Sequence, residues 1–193
     1  MAETSLSGYS YADYLALEQD GDVKYEFHDG FITAMAGGTP RHGQLTSNIN
    51  RALGNSLVNQ DKPCIVFSSD VKVRISSTNR TFYPDLSVVC DTPETSEVDQ
   101  HAIINPQLLV EVLSISTADF DRGAKFTHYR QLVSLREYVL ISQDEIMVDT
   151  YYRTDDGTWE IESYQSLENV VVLKSVGVEV AMTDIYRKVE MEG

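Results

Sequence analysis

Hydrophobic positions along this chain change period several times, and each change marks an element. Tyr11, Tyr14, Leu15 and Leu17 recur at helical spacing after Ser10, whose hydroxyl suits a helix start, so a helix is expected over residues 10–18. Val23, Tyr25 and Phe27 then alternate with polar residues. After Asp29-Gly30 the alternation resumes with Phe31, Thr33 and Met35, which predicts a hairpin from Val23 to Ala36. Thr39-Pro40 is a helix start, and Leu45, Ile49, Leu53 and Leu57 repeat every four residues behind it. An amphipathic helix from Pro40 to Asn59 follows.

Three strands are expected next, over Ile65 to Ile75, Pro84 to Cys90 and Leu108 to Leu113. The last two are nearly all apolar, as central strands buried on both faces are. Helical spacing returns from Asp119 to Leu132, carrying Phe120, Ala124 and Tyr129. Glu137 to Ser142 and Ile146 to Arg153 form a strand pair across Gln143-Asp144. Trp159 to Tyr164 and Val170 to Leu173 read as short strands, and Met182 to Val189 as a closing helix. No repeat or Pro/Gly/Ser-rich linker divides the chain, so one domain over residues 1–193 is expected. The order of elements implies an α/β (α+β) fold with a mixed sheet.

Charge changes the picture. The 193 residues hold 15 Lys+Arg against 30 Asp+Glu, a net charge of −15. That argues against a non-specific polyanion binder of the basic-patch kind. The longest aliphatic run, Val170 to Leu173, is far short of the roughly 18 apolar residues of a membrane span. Met1 to Ser5 shows no signal-peptide pattern, so a cytoplasmic protein is expected. Cys64 and Cys90 make no metal-ligand pair and lie in strand-like runs, where they read as small buried hydrophobes with reduced thiols.

Two acids stand inside runs that should be core: Asp85 in Tyr83-Pro84-Asp85-Leu86-Ser87-Val88-Val89, and Glu111 in Leu108-Leu109-Val110-Glu111-Val112-Leu113. Burying an unpaired carboxylate costs several kcal/mol, so such residues need a cation, donors or a metal. Two carboxylates on neighbouring strands suit Mg²⁺ or Mn²⁺; one acid alone reads sooner as a partly solvated strand end. Downstream, Asp121, Lys125 and Tyr129 fall on one helix face at i, i+4, i+8. Lys125 there either reaches back to the carboxylates, to orient a water and stabilise charge at phosphorus, or forms an ordinary pair with Asp121.

The ordered set carries a resemblance. It runs through Tyr25-Glu26-Phe27-His28-Asp29-Gly30, then His42, Pro84-Asp85 and Glu111-Val112-Leu113-Ser114. Asp121-Arg122-Gly123-Ala124-Lys125, Tyr129 and Arg136-Glu137-Tyr138 complete it. This resembles the Uma2 (DUF820) family of the PD-(D/E)XK restriction-endonuclease-like superfamily, from about Tyr9 to Tyr186. The resemblance implies a mixed central sheet flanked by helices. It also implies a metal site of Asp85, Glu111, the Val112 carbonyl and Glu26, with catalysis by Asp85, Glu111, Lys125 and Glu26. The superfamily's lysine two residues after the acid is Leu113 here, and Lys125 on the following helix takes its place. His42, Tyr129 and Asp121 are accessory candidates.

The function implied is a Mg²⁺- or Mn²⁺-dependent endonuclease hydrolysing DNA, with DNA placed ahead of RNA, no membrane partner and a homodimer. A nuclease-fold binding or regulatory protein without catalysis is the alternative. Residues 61–130 hold 7 of the 15 cations, and Lys72, Arg74, Arg80 and Arg122 are the candidate phosphate contacts; a solvated, charge-balanced surface explains them equally.

Overall fold

The computed structural model describes residues 5–19, 23–35, 37–114 and 117–191. Residues 1–4, read above for a signal peptide, and Ala36, the expected end of the hairpin, lie outside the described residues.

Helix α1 (Tyr11–Gln19) starts on a reciprocal cap: Ser10 N–H donates to Asp13 Oδ2 at 2.8 Å, and Asp13 N–H donates to Ser10 Oγ at 3.2 Å. The hairpin is β2 (Tyr25–His28) and β3 (Phe31–Ala34), with β1 (Ser5–Ser7) added outside β3. Asp29 and Gly30 adopt φ of 51° and 94°, the two positive values that a tight primed turn requires. Helix α2 spans Pro40–Asn59 as expected. Thr39 Oγ1 accepts the His42 N–H at 3.1 Å, and Leu45, Ile49, Leu53 and Leu57 form the buried stripe.

The single strand expected from Ile65 to Ile75 is two, β4 (Ile65–Ser68) and β5 (Lys72–Ile75), and they enter different sheets. The Val71 N–H closes a turn on the Ser68 carbonyl at 3.1 Å; Ser68-Ser69-Asp70 was the turn signal, masked by alternation resuming beyond it. Five strands escaped the periodicity reading because they are short or mixed: β1, β6 (Arg80–Phe82), β8 (Thr95–Ser96), β9 (Asp99–Ile103) and β15 (Val178–Ala181). One sheet runs β1-β3-β2-β6-β5-β9-β8. The other runs β13-β12-β11-β10-β7-β4, with β7 (Leu86–Val89), β10 (Leu108–Leu113), β11 (Glu137–Ser142), β12 (Val148–Arg153) and β13 (Trp159–Tyr164). A separate pair, β14 (Val170–Leu173) and β15 (Val178–Ala181), leads into α5 (Met182–Ile185). The closing helix is thus a single turn rather than reaching Val189. Val171 and Leu173 are core while Val170 and Val172 are exposed.

Strand β10 is the centre, parallel to β11 and antiparallel to β7. Its alternation divides the core. Leu108, Val110 and Val112 pack with α2, β14, β15 and α5. Leu109 and Leu113 face the opposite way, toward Val73, Ile75 and Phe82 of the seven-stranded sheet and toward Tyr129. Glu111 shares this second face. The expected helix from Asp119 is α3 (Ala118–Phe120), a π-helical turn (Asp121–Lys125) and α4 (Phe126–Tyr129).

The cysteine expectation is corrected. Antiparallel pairing of β4 with β7 sets Ile65 opposite Val89, which brings Cys64 opposite Cys90, and a disulfide joins them. Both are half-buried rather than buried. Their 26-residue separation hid the pairing, which only the strand register reveals. Among the described residues no helix is long and apolar enough to cross a membrane.

Candidate active site

The ladder between β10 and β7 ends with Val110 opposite Leu86. One step further the strands part, and Asp85 and Glu111 stand across the opening. The Val112 N–H, freed from the ladder, donates to Asp85 Oδ2 at 2.7 Å. His42, in the first turn of α2, brings Nε2 to 3.2 Å from the same oxygen. The Asp85 hydrogen bond foremost, with the Val112 carbonyl, raises the His42 pKa above its ordinary value despite partial burial. The cap on Thr39 fixes the turn that presents this imidazole.

Lys125 and Tyr129 approach Glu111 from the helical segment. Lys125 Nζ lies 2.8 Å from Glu111 Oε1 and 3.4 Å from Asp121 Oδ1. It therefore makes both contacts that the spacing left open. Tyr129 donates its hydroxyl hydrogen to Glu111 Oε1 at 3.0 Å. The π-helical turn is held from the sheet, where the Tyr138 hydroxyl donates to the Asp121 carbonyl at 3.1 Å; such turns concentrate at functional sites. Glu26 completes the group from β2. Its Oε1 accepts the Tyr83 N–H at 3.3 Å and stands 4.0 Å from Lys125 Nζ, while Oε2 is 3.4 Å from His28 Nε2. Burial alone would raise the Glu26 carboxyl, but Lys125 and His28 outweigh it and hold it below the ordinary range.

Glu111, 4% exposed, behaves in the opposite way. Burial pushes its pKa up to about 8, and the charges of Asp121 and Asp85 add to that push against Lys125. Lys125 stays protonated, since Glu111, Glu26 and Asp121 more than offset its burial. Lys125 thus lies within 4.0 Å of three carboxyl groups, with Asp85 across the opening, and this excess of acids over ammonium suits a dication. Among the described residues no three Asp, Glu, His or Cys side chains converge closely enough to hold a metal by themselves. Mg²⁺ does not require that, because it is commonly held by one or two carboxylates plus water and phosphate oxygens. The contacts on Asp85 and Glu111 use Oδ2 and Oε1, so Oδ1 and Oε2 are without hydrogen bonds among the described residues. The residues present fit a hard divalent ion.

These groups open into a cavity of about 730 Å³ whose walls include Glu26, His42, Asp85, Glu111, Val112, Asp121 and Lys125. That is within the range of small-ligand sites. Arg80 also reaches the cavity. Lys72 and Arg74 do not: both are buried, Lys72 between Glu18 and Asp99, Arg74 over the Tyr11 ring with Asn79 Oδ1 at 2.6 Å. Arg122 is paired with Asp149 at 2.5 Å. Periodicity put Lys72 and Arg74 on one face but could not show that helix α1 covers it. His28, Phe31 and Phe120 line the cavity and were missed, because nothing local in the sequence distinguishes a cavity-facing aromatic from a core one.

A family model, Uma2, described as "Putative restriction endonuclease", matches residues 11–183. Two uncharacterised proteins of Synechocystis sp. (strain ATCC 27184 / PCC 6803 / Kazusa) are similar. The protein slr1290 is 38% identical over 175 residues, covering 91% of this chain and 90% of that protein. The protein sll1609 is 38% identical over 148 residues, covering 77% and 82%. A solved structure from Anabaena variabilis ATCC 29413, described as a "putative nuclease belonging to DUF820", superposes with a TM-score of 0.68 at 17% identity. It covers 84% of this chain and 89% of that one. That likeness shows the fold, which is restriction-endonuclease-like. With a family model spanning nearly all of its elements, the chain belongs to the Uma2 family.

Proposed function

We propose that the chain is a divalent-metal-dependent endonuclease that hydrolyses DNA phosphodiester bonds in the cavity beside Asp85 and Glu111. The observation that carries this reading is the convergence of Asp85, Glu111 and Lys125, from three separate elements, where the β7–β10 ladder parts. Asp85, Glu111 and the Val112 carbonyl would hold Mg²⁺ or Mn²⁺, with Glu26 as the contributor to a second ion. When bound, such an ion acts as a Lewis acid on the phosphoryl group and offsets charge on the leaving oxygen.

The protein groups supply the rest. Lys125 orients the attacking water and stabilises charge developing at phosphorus, its ammonium fixed by Glu111, Asp121 and Glu26. Tyr129 orients Glu111, and His42 with the Val112 N–H orients Asp85. Asp121 sets the lysine's approach. Arg80 is the cavity cation available to a substrate phosphate.

The test is cleavage of labelled single- and double-stranded DNA and RNA by the purified chain with Mg²⁺, Mn²⁺ or a chelator. Metal-dependent scission lost in Glu111→Gln and Lys125→Met supports the reading. An inactive wild type that binds neither ion favours a nuclease fold kept for binding or regulation.

A further inference from the structure

Next to the acidic cluster runs a row of three side chains that the mechanism above does not use as a unit. Strand register sets Phe31 of β3 directly opposite His28 of β2, and His28 opposite Arg80 of β6. Directly opposed residues project to the same face, and all three line the cavity. Glu26 lies two residues from His28 on the same strand and so on the same face. The row therefore begins where the site ends.

Each member is placed for a nucleotide. Phe31 is 50% exposed and Phe120, also in the cavity wall, is 41% exposed; both are large apolar rings left open beside charged groups. Phe120 is oriented by edge contact with His28, ring centroids 6.1 Å apart. Arg80 has no carboxylate or hydrogen-bond partner for its guanidinium among the described residues, and its Nε is buried without one. Lys72, Arg122 and Lys125, by contrast, are each held by acids.

We propose that Phe31, His28 and Arg80, with Phe120, form a subsite for one unpaired nucleotide of the substrate strand. Its base stacks on the exposed phenylalanine rings and its phosphate is held by Arg80. This rests on the nuclease reading and names the substrate class: single strands, or strands frayed or flapped at the cut. A base offers its face to Phe31 only when it has left the helical stack. A chain of net charge −15 repels a polyanion over most of its surface, so stacking must supply affinity that backbone contacts do not.

The experiment measures binding separately from cleavage. Fluorescence anisotropy of a labelled single-stranded oligonucleotide and of the same sequence as a duplex is recorded with Ca²⁺ in place of Mg²⁺, for wild type, Phe31→Ala, Phe31→Tyr and Arg80→Gln. Tighter single-strand binding is expected, with a loss of roughly 5- to 100-fold in Phe31→Ala and retention in Phe31→Tyr. Circular dichroism confirms folding, which exposed Phe31 does not control. Duplex bound as tightly as single strand, or Phe31→Ala binding like wild type, overturns the subsite. Cleavage of duplex with no single-strand preference would overturn the subsite and leave the nuclease reading standing. Single-strand binding that needs Phe31 without any cleavage would do the reverse.

Discussion

The Val112 N–H, two residues past the last rung of the β7–β10 ladder, donates at 2.7 Å to Oδ2 of Asp85, one residue past it on the other strand. A side chain thus replaces the backbone acceptor that β7 would have supplied, and the strands part without an orphaned amide. Asp85→Asn keeps an oxygen acceptor there and Asp85→Ala does not. Both variants should lose metal-dependent cleavage by at least about 100-fold, the scale of loss for a key charged group. Only Asp85→Ala should also lose stability, about 1–3 kcal/mol for an unsatisfied buried donor. Urea denaturation beside cleavage rates separates the two effects.

Among the described residues Lys125 is the sole ammonium beside Glu26, Glu111 and Asp121. Lys125→Met should destabilise the chain by about 3–5 kcal/mol, because it leaves buried carboxylates uncompensated. Adding Glu111→Gln to Lys125→Met should recover part of that loss. A double variant no more stable than the single one, by denaturant midpoint, would show that the two side chains are not coupled.

Tyr129→Phe removes one donor from Glu111 while leaving Lys125 in place. The expected cost is about 1 kcal/mol, read as a fall of roughly 2–4 °C in Tm for a chain of this size. Cleavage should fall through kcat, since Tyr129 positions Glu111 rather than binding substrate.

Acid sensitivity should arise partly outside the cavity. Burial alone would raise the Asp99 carboxyl, but Lys72 and the Tyr11 hydroxyl hold it below its ordinary value. A carboxyl lower in the folded than in the unfolded chain contributes stability fully above the unfolded pKa of about 3.9. That contribution is lost as pH falls through the lower folded value. Stability measured from pH 7 to pH 3 should therefore fall less steeply in Asp99→Asn than in wild type, from a lower starting point.

Arg80 and Lys72 should separate cleanly. Arg80→Gln should weaken oligonucleotide binding and reduce its salt slope by about one with little change in stability. Lys72→Gln should do the opposite, since its ammonium is spent on Glu18 and Asp99 inside the fold.

Much of the site was legible because its chemistry contradicts its surroundings. Asp85 and Glu111 stand out in apolar runs, and Lys125 follows on one helix face with Asp121 and Tyr129, a spacing that allowed it to reach back to them. Elements with a strong period, such as α2 and β10, were bounded correctly for the same reason. What escaped depends on non-local pairing. The row from Phe31 through His28 to Arg80 exists only once β3, β2 and β6 are in register. The Cys64–Cys90 disulfide needs β4 beside β7. Lys72 reads as a surface cation until α1 brings Glu18 to it across 54 positions. Glu26 became a site candidate through family resemblance alone, since an acid in a half-polar hairpin violates nothing.

We propose that Asp85 and Glu111 hold a divalent ion in the cavity. Anomalous diffraction from a crystal soaked in Mn²⁺ tests it most directly. A peak is expected within coordination distance of both carboxylates and the Val112 carbonyl, abolished in Asp85→Asn. Absence of a peak at full soak, with Lys125 and His42 still bonded to the two acids, would contradict it.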